Sequence, residues 1–361
     1  MGATGKVGRV LVRQIYNKGD TDQGVHTNPT VIVGLANSST LLRNSEGIDA
    51  KMAERFVMYR EGGERYSGFQ CLLELLRKEN EIIHVVDVTT EARAVVLHTG
   101  LINSTNHDIV TANKNPLTFA DIKTFRRLVS ETQRYGFRCS VMAGADTINY
   151  VMDLVDLNDR PHSIEGCLSG TLGFVLSELE NGKKLSSAVT EAITRGYTEP
   201  NPITDLGGGD PAKKILIIAR AAGFDVSFSD IEVNPLVSEA VLKSADLDSF
   251  FTALKKQDLL FEKKMKRALN KNNTLRYVAR ITSRKNEKSR IRVGLEEVPI
   301  KSSLGQLKGT SNKILIYTKN YGRKPYSIEA PGAGIEITAQ NIRRDLLYQI
   351  NGRTLRVSPD K

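Results

Sequence analysis

Apolar positions along the chain follow two periods in turn. Val7, Val10, Leu11 and Ile15 recur at helical spacing directly behind a glycine-rich opening, Gly2-Ala3-Thr4-Gly5-Lys6-Val7-Gly8. Runs rich in β-branched residues then appear at 30–36, 82–88 and 108–111. Each closes on small polar residues: Asn37-Ser38-Ser39, Thr89-Thr90 and Ala112-Asn113-Lys114. Phe119, Ile122, Phe125, Leu128 and Val129 predict a helix, and 138–142 a further strand. Strands alternating with helices predict an α/β domain around a doubly wound, Rossmann-type parallel sheet. Such sheets take ligands at the carboxyl ends of their strands, where these small polar residues stand.

The opening turn has its own chemistry. Glycines before a helix let backbone N–H groups approach a pyrophosphate, and the helix dipole favours that charge. Gly5 and Gly8 stand where the second and third glycines of such a turn would be, and Ala3 replaces the first. A strand normally precedes the turn, yet only Met1 does so here. The first strand is therefore expected to be missing from the chain as written, with the natural protein extending upstream. No acid closes the run 30–36, where an NAD-preferring domain places its ribose ligand, so NADP or NAD is permitted.

Beyond residue 147 the pattern changes. Strands are expected at 164–168, 274–281 and 314–318 within an α+β domain spanning 148–330. After Gly334, Ile335, Ile337, Ile342, Leu346 and Leu347 predict a helix that completes the first domain, assigned to 1–147 with 331–361. The polar tail from 351 is expected to be loose.

A length of 361 residues agrees with two domains. Charged residues at 25% and apolar residues at 40% exclude disorder, and no apolar run reaches the ~18 residues of a spanning helix. The net charge of +10 raises nucleic acid as a partner, but much of the excess sits at 255–293 with few aromatics for base stacking. A solvated helix face and a polar hairpin explain that segment better, and no nucleic-acid or membrane partner is expected. Cys71, Cys139 and Cys167 have no metal-like spacing, which suits a reducing cytoplasm.

Acids and lysines gather at 196–214, GYTEPNPITDLGGGDPAKK. Its prolines and glycines predict a fixed loop without regular structure. A helix is then expected with Asp210 as N-cap and Pro211 at its first position, so that Lys214 lies one turn on. Two readings are open. Asp210 caps and pairs with Lys214 in a surface loop, or Glu199, Asp205 and Asp210 converge on Lys214 in a site. A lysine near its reference pKa of ~10.4 is neutral in only about one molecule in 2,500 at pH 7, which suits protonation of a developing alkoxide.

Taken in order, these motifs resemble the homoserine dehydrogenase family, especially the dehydrogenase half of bifunctional aspartokinase–homoserine dehydrogenases. They comprise the glycine turn, Asp87-Val88-Thr89-Thr90, Thr111-Ala112-Asn113-Lys114 and Leu168-Ser169-Gly170-Thr171-Leu172. The loop from Gly196 to Lys214, Gly309-Thr310-Ser311-Asn312 and Pro331-Gly332-Ala333-Gly334 complete them. The resemblance implies NAD(P)H-dependent reduction of L-aspartate 4-semialdehyde to L-homoserine, towards threonine, methionine and isoleucine. It implies Lys214 as proton donor, with Asp210 and Lys114 beside the reacting groups. Substrate contacts would come from Glu199, Asp205, Asp210, Tyr197 and Thr171. The dinucleotide would touch Gly5, Lys6, Val7, Gly8, Thr89, Thr90, Lys114, Gly196, Glu199 and Gly332. A cytoplasmic homodimer built on the second domain's sheet, and an upstream aspartokinase module, are also implied.

The segment 140–148 departs from the family pattern. Relatives bind a monovalent cation, sodium or potassium, there, partly through main-chain oxygens matching Ala143, Ala145 and Thr147. Ser140 replaces an acidic ligand, which should weaken that site. A non-catalytic homologue serving as a structural or regulatory partner is one rival reading. A thioester-forming semialdehyde dehydrogenase using Cys139 and His107 is another.

Overall fold

The computed structural model describes residues 1–283 and 289–353. Part of the basic segment (284–288) and most of the expected loose tail (354–361) lie outside the described residues. The chain forms two compact units, one containing Met1–Ile148 and the chain from Ala333, the other Asn149–Gly332.

In the first unit the opening glycines lead into the helix Lys6–Asn17, as the spacing predicts. Strands β1 (Gly34–Ala36), β2 (Thr40–Arg43) and β3 (Glu64–Arg65) form a small antiparallel sheet. Strands β4 (His84–Asp87), β5 (Asp108–Thr111) and β6 (Tyr135–Gly136) form a parallel one in the order β4-β5-β6. Residues 1–3 bond to strands of both sheets: the Met1 amino group donates to Val86 O at 2.6 Å, Val88 N to Met1 O at 3.3 Å, and Ala3 N to Ala36 O at 3.0 Å. The C-terminal helix Ile335–Arg353 belongs to this unit because its apolar stripe has one place to go. Ala339, Ile342 and Leu346 pack with Leu11, Ile15, Val110 and Cys139 in a single buried cluster. Each large aliphatic side chain so buried contributes about 1.5–3 kcal/mol.

Three expected elements of this unit take another form. Only the end of 30–36 is strand, and the helix expected from 119 is two, Lys114–Phe119 and Ile122–Val129. The strand expected at 138–142 is absent, and two short 3₁₀ turns, Arg138–Ser140 and Met142–Gly144, replace it. Met142, Ala143 and Gly144 all have positive φ (49°, 51° and 88°), a path no strand can follow. Their apolar character reflects burial rather than pleating.

The second unit is built on a six-stranded sheet ordered β12-β11-β7-β9-β10-β8. Its strands are β7 (Ser163–Cys167), β8 (Ile231–Val233), β9 (Asn273–Thr282), β10 (Arg290–Pro299), β11 (Ser311–Tyr317) and β12 (Tyr326–Pro331). All pairings are antiparallel except that of β8 with β10. Helices Gly170–Glu180, Gly209–Ala221 and Asp258–Leu269 pack against β9. The chain is thus mixed α/β, with a parallel-sheet unit and an α+β unit. In Asp258–Leu269, Phe261, Met265 and Ala268 turn inward while Lys263, Lys264, Lys266 and Arg267 stay exposed, so this part of the basic segment is a solvated face.

Candidate active site

In the second unit the acid-and-lysine cluster is more regular than its prolines and glycines suggest. Pro202–Leu206 is a short helix, capped by Asn201 Oδ1, which accepts from Ile203 N at 3.1 Å. The following helix begins at Gly209, and its N-cap is Gly208 with φ 76°, so Asp210 sits in the first turn instead of capping. Pro211 shares that turn, where its missing N–H costs nothing.

This helix is buried on most sides, which carries Lys214 inward to 6% exposure. Its Nζ donates to Leu168 O at 2.9 Å and pairs with Asp210 Oδ2 at 2.8 Å. The Leu168 carbonyl is available because β7 ends one residue earlier. An ammonium has three donors. Two are engaged here, and the third has no partner among the described residues.

Asp205 does not join that pair. Its Oδ1 accepts from the Thr171 hydroxyl at 3.1 Å and its Oδ2 from Glu199 N at 2.9 Å. The single Thr171 hydroxyl proton is shared with Tyr197 O, 2.5 Å away, so Thr171 and Asp205 clamp the loop that presents the exposed Glu199. Burial pushes the Asp205 carboxyl up; the Glu199 N–H and Thr171 hydroxyl oppose this, while the charges of Glu199 and Asp210 add to it. Gly196 ends the helix Leu185–Thr194 in a left-handed turn, with Gly196 N to Ile193 O and Tyr197 N to Ala192 O both 2.9 Å. A Cβ on Gly332 would lie 2.2 Å from the Asn312 amide. That amide is fully buried, and neither its nitrogen nor its oxygen has a partner among the described residues. A polar group arriving at Gly332 would relieve it.

In the first unit the helix behind the glycine turn has an open N-terminus. No side chain caps the N-terminus of Lys6–Asn17, and no acid occupies its first turn. Gly8 is obligatory: a Cβ there would lie 2.2 Å from Gly2 O. At the end of β1, Asn37 Oδ1 accepts from Ser39 N and Thr40 N (2.9 and 2.8 Å) and shapes its own turn.

The loops after β4 and β5 are joined by one buried carboxylate. Asp87 Oδ1 accepts from Thr89 N at 2.9 Å, and Oδ2 accepts from Asn113 Nδ2 and His98 Nε2, both at 3.0 Å. Asn113 Nδ2 reaches Glu91 O as well, and its Oδ1 caps the helix that Lys114 opens. Behind His98, the Tyr135 hydroxyl lies 2.8 Å from Nδ1. Thr89, Thr90 and Lys114 were expected near a ligand, whereas His98 and Tyr135 belong to no motif. Nothing in the sequence around His98 singles it out.

Burial alone would raise the Asp87 carboxyl, but hydrogen bonds from His98 and Thr89 outweigh it and hold it at about 2. A carboxyl lowered in the fold stabilises above its unfolded value of 3.8, and that contribution is lost as pH falls towards 2. It amounts to about 2 kcal/mol. Asp87→Asn should therefore lower the urea midpoint at pH 6, with the gap to wild type closing as pH falls below 4. A gap unchanged by acid contradicts this role.

Cys139 and His107 do not form a nucleophile and base. Burial pushes the Cys139 thiol far up, while His107 Nδ1 accepts from Ile83 N (3.1 Å) and Nε2 donates to Leu76 O (2.7 Å). Among the described residues no His, Cys, Asp and Glu cluster suits a metal ion, and no helix is long and apolar enough to cross a membrane.

Comparison with known proteins identifies the family. A family model described as homoserine dehydrogenase matches residues 147–347. A bifunctional aspartokinase/homoserine dehydrogenase of Buchnera aphidicola is 35% identical over 285 residues, covering 78% of this chain. This chain spans only 34% of that relative's length. The homoserine dehydrogenase of Saccharomyces cerevisiae is 30% identical over 284 residues, 76% of this chain and 77% of the yeast protein. A hyperthermophilic archaeal homoserine dehydrogenase, solved in complex with NADPH, shares the fold with a TM-score of 0.70 at 19% identity, over 97% of this chain and 96% of its own. By the family match and the yeast relative, the chain belongs to the homoserine dehydrogenase family.

Proposed function

We propose that this chain interconverts L-aspartate 4-semialdehyde and L-homoserine with NADP(H) or NAD(H). The observation that carries the reading is Lys214: a buried amino group tied to Leu168 O and Asp210, with one N–H uncommitted. A bound nicotinamide supplies or accepts the hydride. Lys214 donates its open N–H to the aldehyde oxygen and hands over the proton as that oxygen gains charge. Asp210 balances the lysine's charge and holds its nitrogen in place. Glu199 and Asp210 take the substrate ammonium, while Thr171, Tyr197 and Asp205 fix the loop that carries Glu199.

The first unit is assigned to the dinucleotide. Gly5, Lys6, Val7 and Gly8 receive the pyrophosphate at the uncapped helix end, while Thr89, Thr90 and Lys114 line the strand ends. Gly196, Glu199 and Gly332 are assigned to the dinucleotide as well. A cytoplasmic homodimer through the second unit's sheet, and an aspartokinase module upstream, extend the reading. Sequencing the reading frame upstream tests that last point.

The assay is absorbance at 340 nm with L-homoserine and each dinucleotide. Reduction dependent on homoserine supports the proposal, and its absence with both cofactors contradicts it. Glu199→Ala should raise the homoserine KM about 10–100-fold, the value of a charged hydrogen bond. A defect confined to the dinucleotide KM would place Glu199 elsewhere.

A further inference from the structure

The segment 140–147 is where the family resemblance implies a monovalent cation, and three successive main-chain oxygens of it, those of Ala143, Gly144 and Ala145, are already engaged. Ala143 O accepts from Asn341 Nδ2 at 2.7 Å, Gly144 O from Arg344 Nη2 at 2.6 Å, and Ala145 O from Thr147 N at 2.7 Å. Ser140, at the position of the acidic ligand, is buried and donates its hydroxyl to Phe137 O at 2.6 Å. These residues do not fit an ion. A carbonyl keeps a second lone pair after one hydrogen bond, so the decisive feature is charge. The Arg344 guanidinium stands against the segment with Nη1 3.1 Å from Asp146 Oδ1 and Nε 3.9 Å from Asp345 Oδ1. It takes the place of an ion's charge beside these acids: Asp146 is paired with it, and Asp345 lies between it and Arg138, whose Nε is 3.1 Å from Asp345 Oδ1.

We propose that Arg344 and Asn341, both on the C-terminal helix, replace the monovalent cation of this family, so that this chain holds the 142–145 turn without sodium or potassium. Something must hold it, because three successive residues run through the left-handed region. A fixed cation also removes the dependence on salt composition that a bound ion imposes. The inference rests on membership of the family and not on the proposed reaction.

The test is thermal melting of the whole chain in choline, sodium and potassium chloride at equal ionic strength. The wild type should melt at one temperature in all three salts, and Arg344→Ala should melt lower in all three. A wild-type midpoint that rises with sodium or potassium but not with choline overturns the proposal. So does an Arg344→Ala midpoint equal to that of the wild type. Because melting needs no turnover, failure here is distinguishable from failure of the proposed reaction.

Discussion

Replacing Lys214 by methionine should lower kcat for homoserine oxidation by about 10²–10⁴-fold, the usual contribution of a positioned proton donor. The affinity for the dinucleotide should stay within error of wild type. Methionine keeps the length and apolar body of the side chain, so the helix face stays filled. What it removes is the donor to Leu168 O and the partner of Asp210. The stranded carbonyl costs about 1–3 kcal/mol, while Asp210 is half exposed and can turn to water. Against a typical stability of about 5–15 kcal/mol, that loss leaves nearly all molecules folded. A fall of a thousandfold in kcat therefore cannot come from unfolding, and a melting curve taken beside the assay separates the two. Ordinary turnover in this variant, or a loss confined to KM, would remove Lys214 from the chemistry.

Gly208→Ala is expected to be the most damaging change to the helix that carries Lys214. The backbone there has φ 76°, and a Cβ would stand 1.9 Å from Tyr277 Oη and 2.9 Å from Cζ. Tyr277 cannot easily yield, because its ring is buried and its hydroxyl donates to Asn234 O at 2.9 Å. The left-handed residue costs about 1–2 kcal/mol once it has a side chain. Displacing the ring adds roughly 1–3 kcal/mol. The melting temperature should fall by several degrees or more, and turnover should fall with it as Asp210 and Lys214 shift. Tyr277→Phe in the same background removes the nearest atom and should restore part of the stability. An alanine variant that melts with the wild type would show that the turn has another way to close.

The sequence displayed the frame of the site better than its contacts. Asp210 and Lys214, four apart on one helix, were readable as a pair because helical spacing fixes such geometry. The true cap was not: Gly-Gly-Gly followed by Asp-Pro fits Asp210 as N-cap, and only Tyr277, far along the chain, selects Gly208. The partner of Lys214 is a main-chain carbonyl, and every residue has one, so Leu168 carried no chemical signal of its own. Asp205 looked like a third acid on the lysine, whereas its oxygens bind Thr171 and the Glu199 amide. The apolar run at 138–142 matches a strand because burial and pleating produce the same pattern over five residues. Positive φ at Met142 and Ala143 has no signature in residues that normally avoid it. Arg344 and Asn341 carry no signal of their own for a related reason: on a helix with an apolar stripe, polar positions look solvent-facing.

The most direct test of Lys214 as proton donor is a crystal structure of the chain with L-homoserine and NADP⁺ bound. The substrate hydroxyl should lie about 3 Å from Lys214 Nζ, within hydrogen-bond reach, with Leu168 O and Asp210 still held by the same nitrogen. A hydroxyl bound out of reach of that nitrogen, beside a different acid or base, would contradict it.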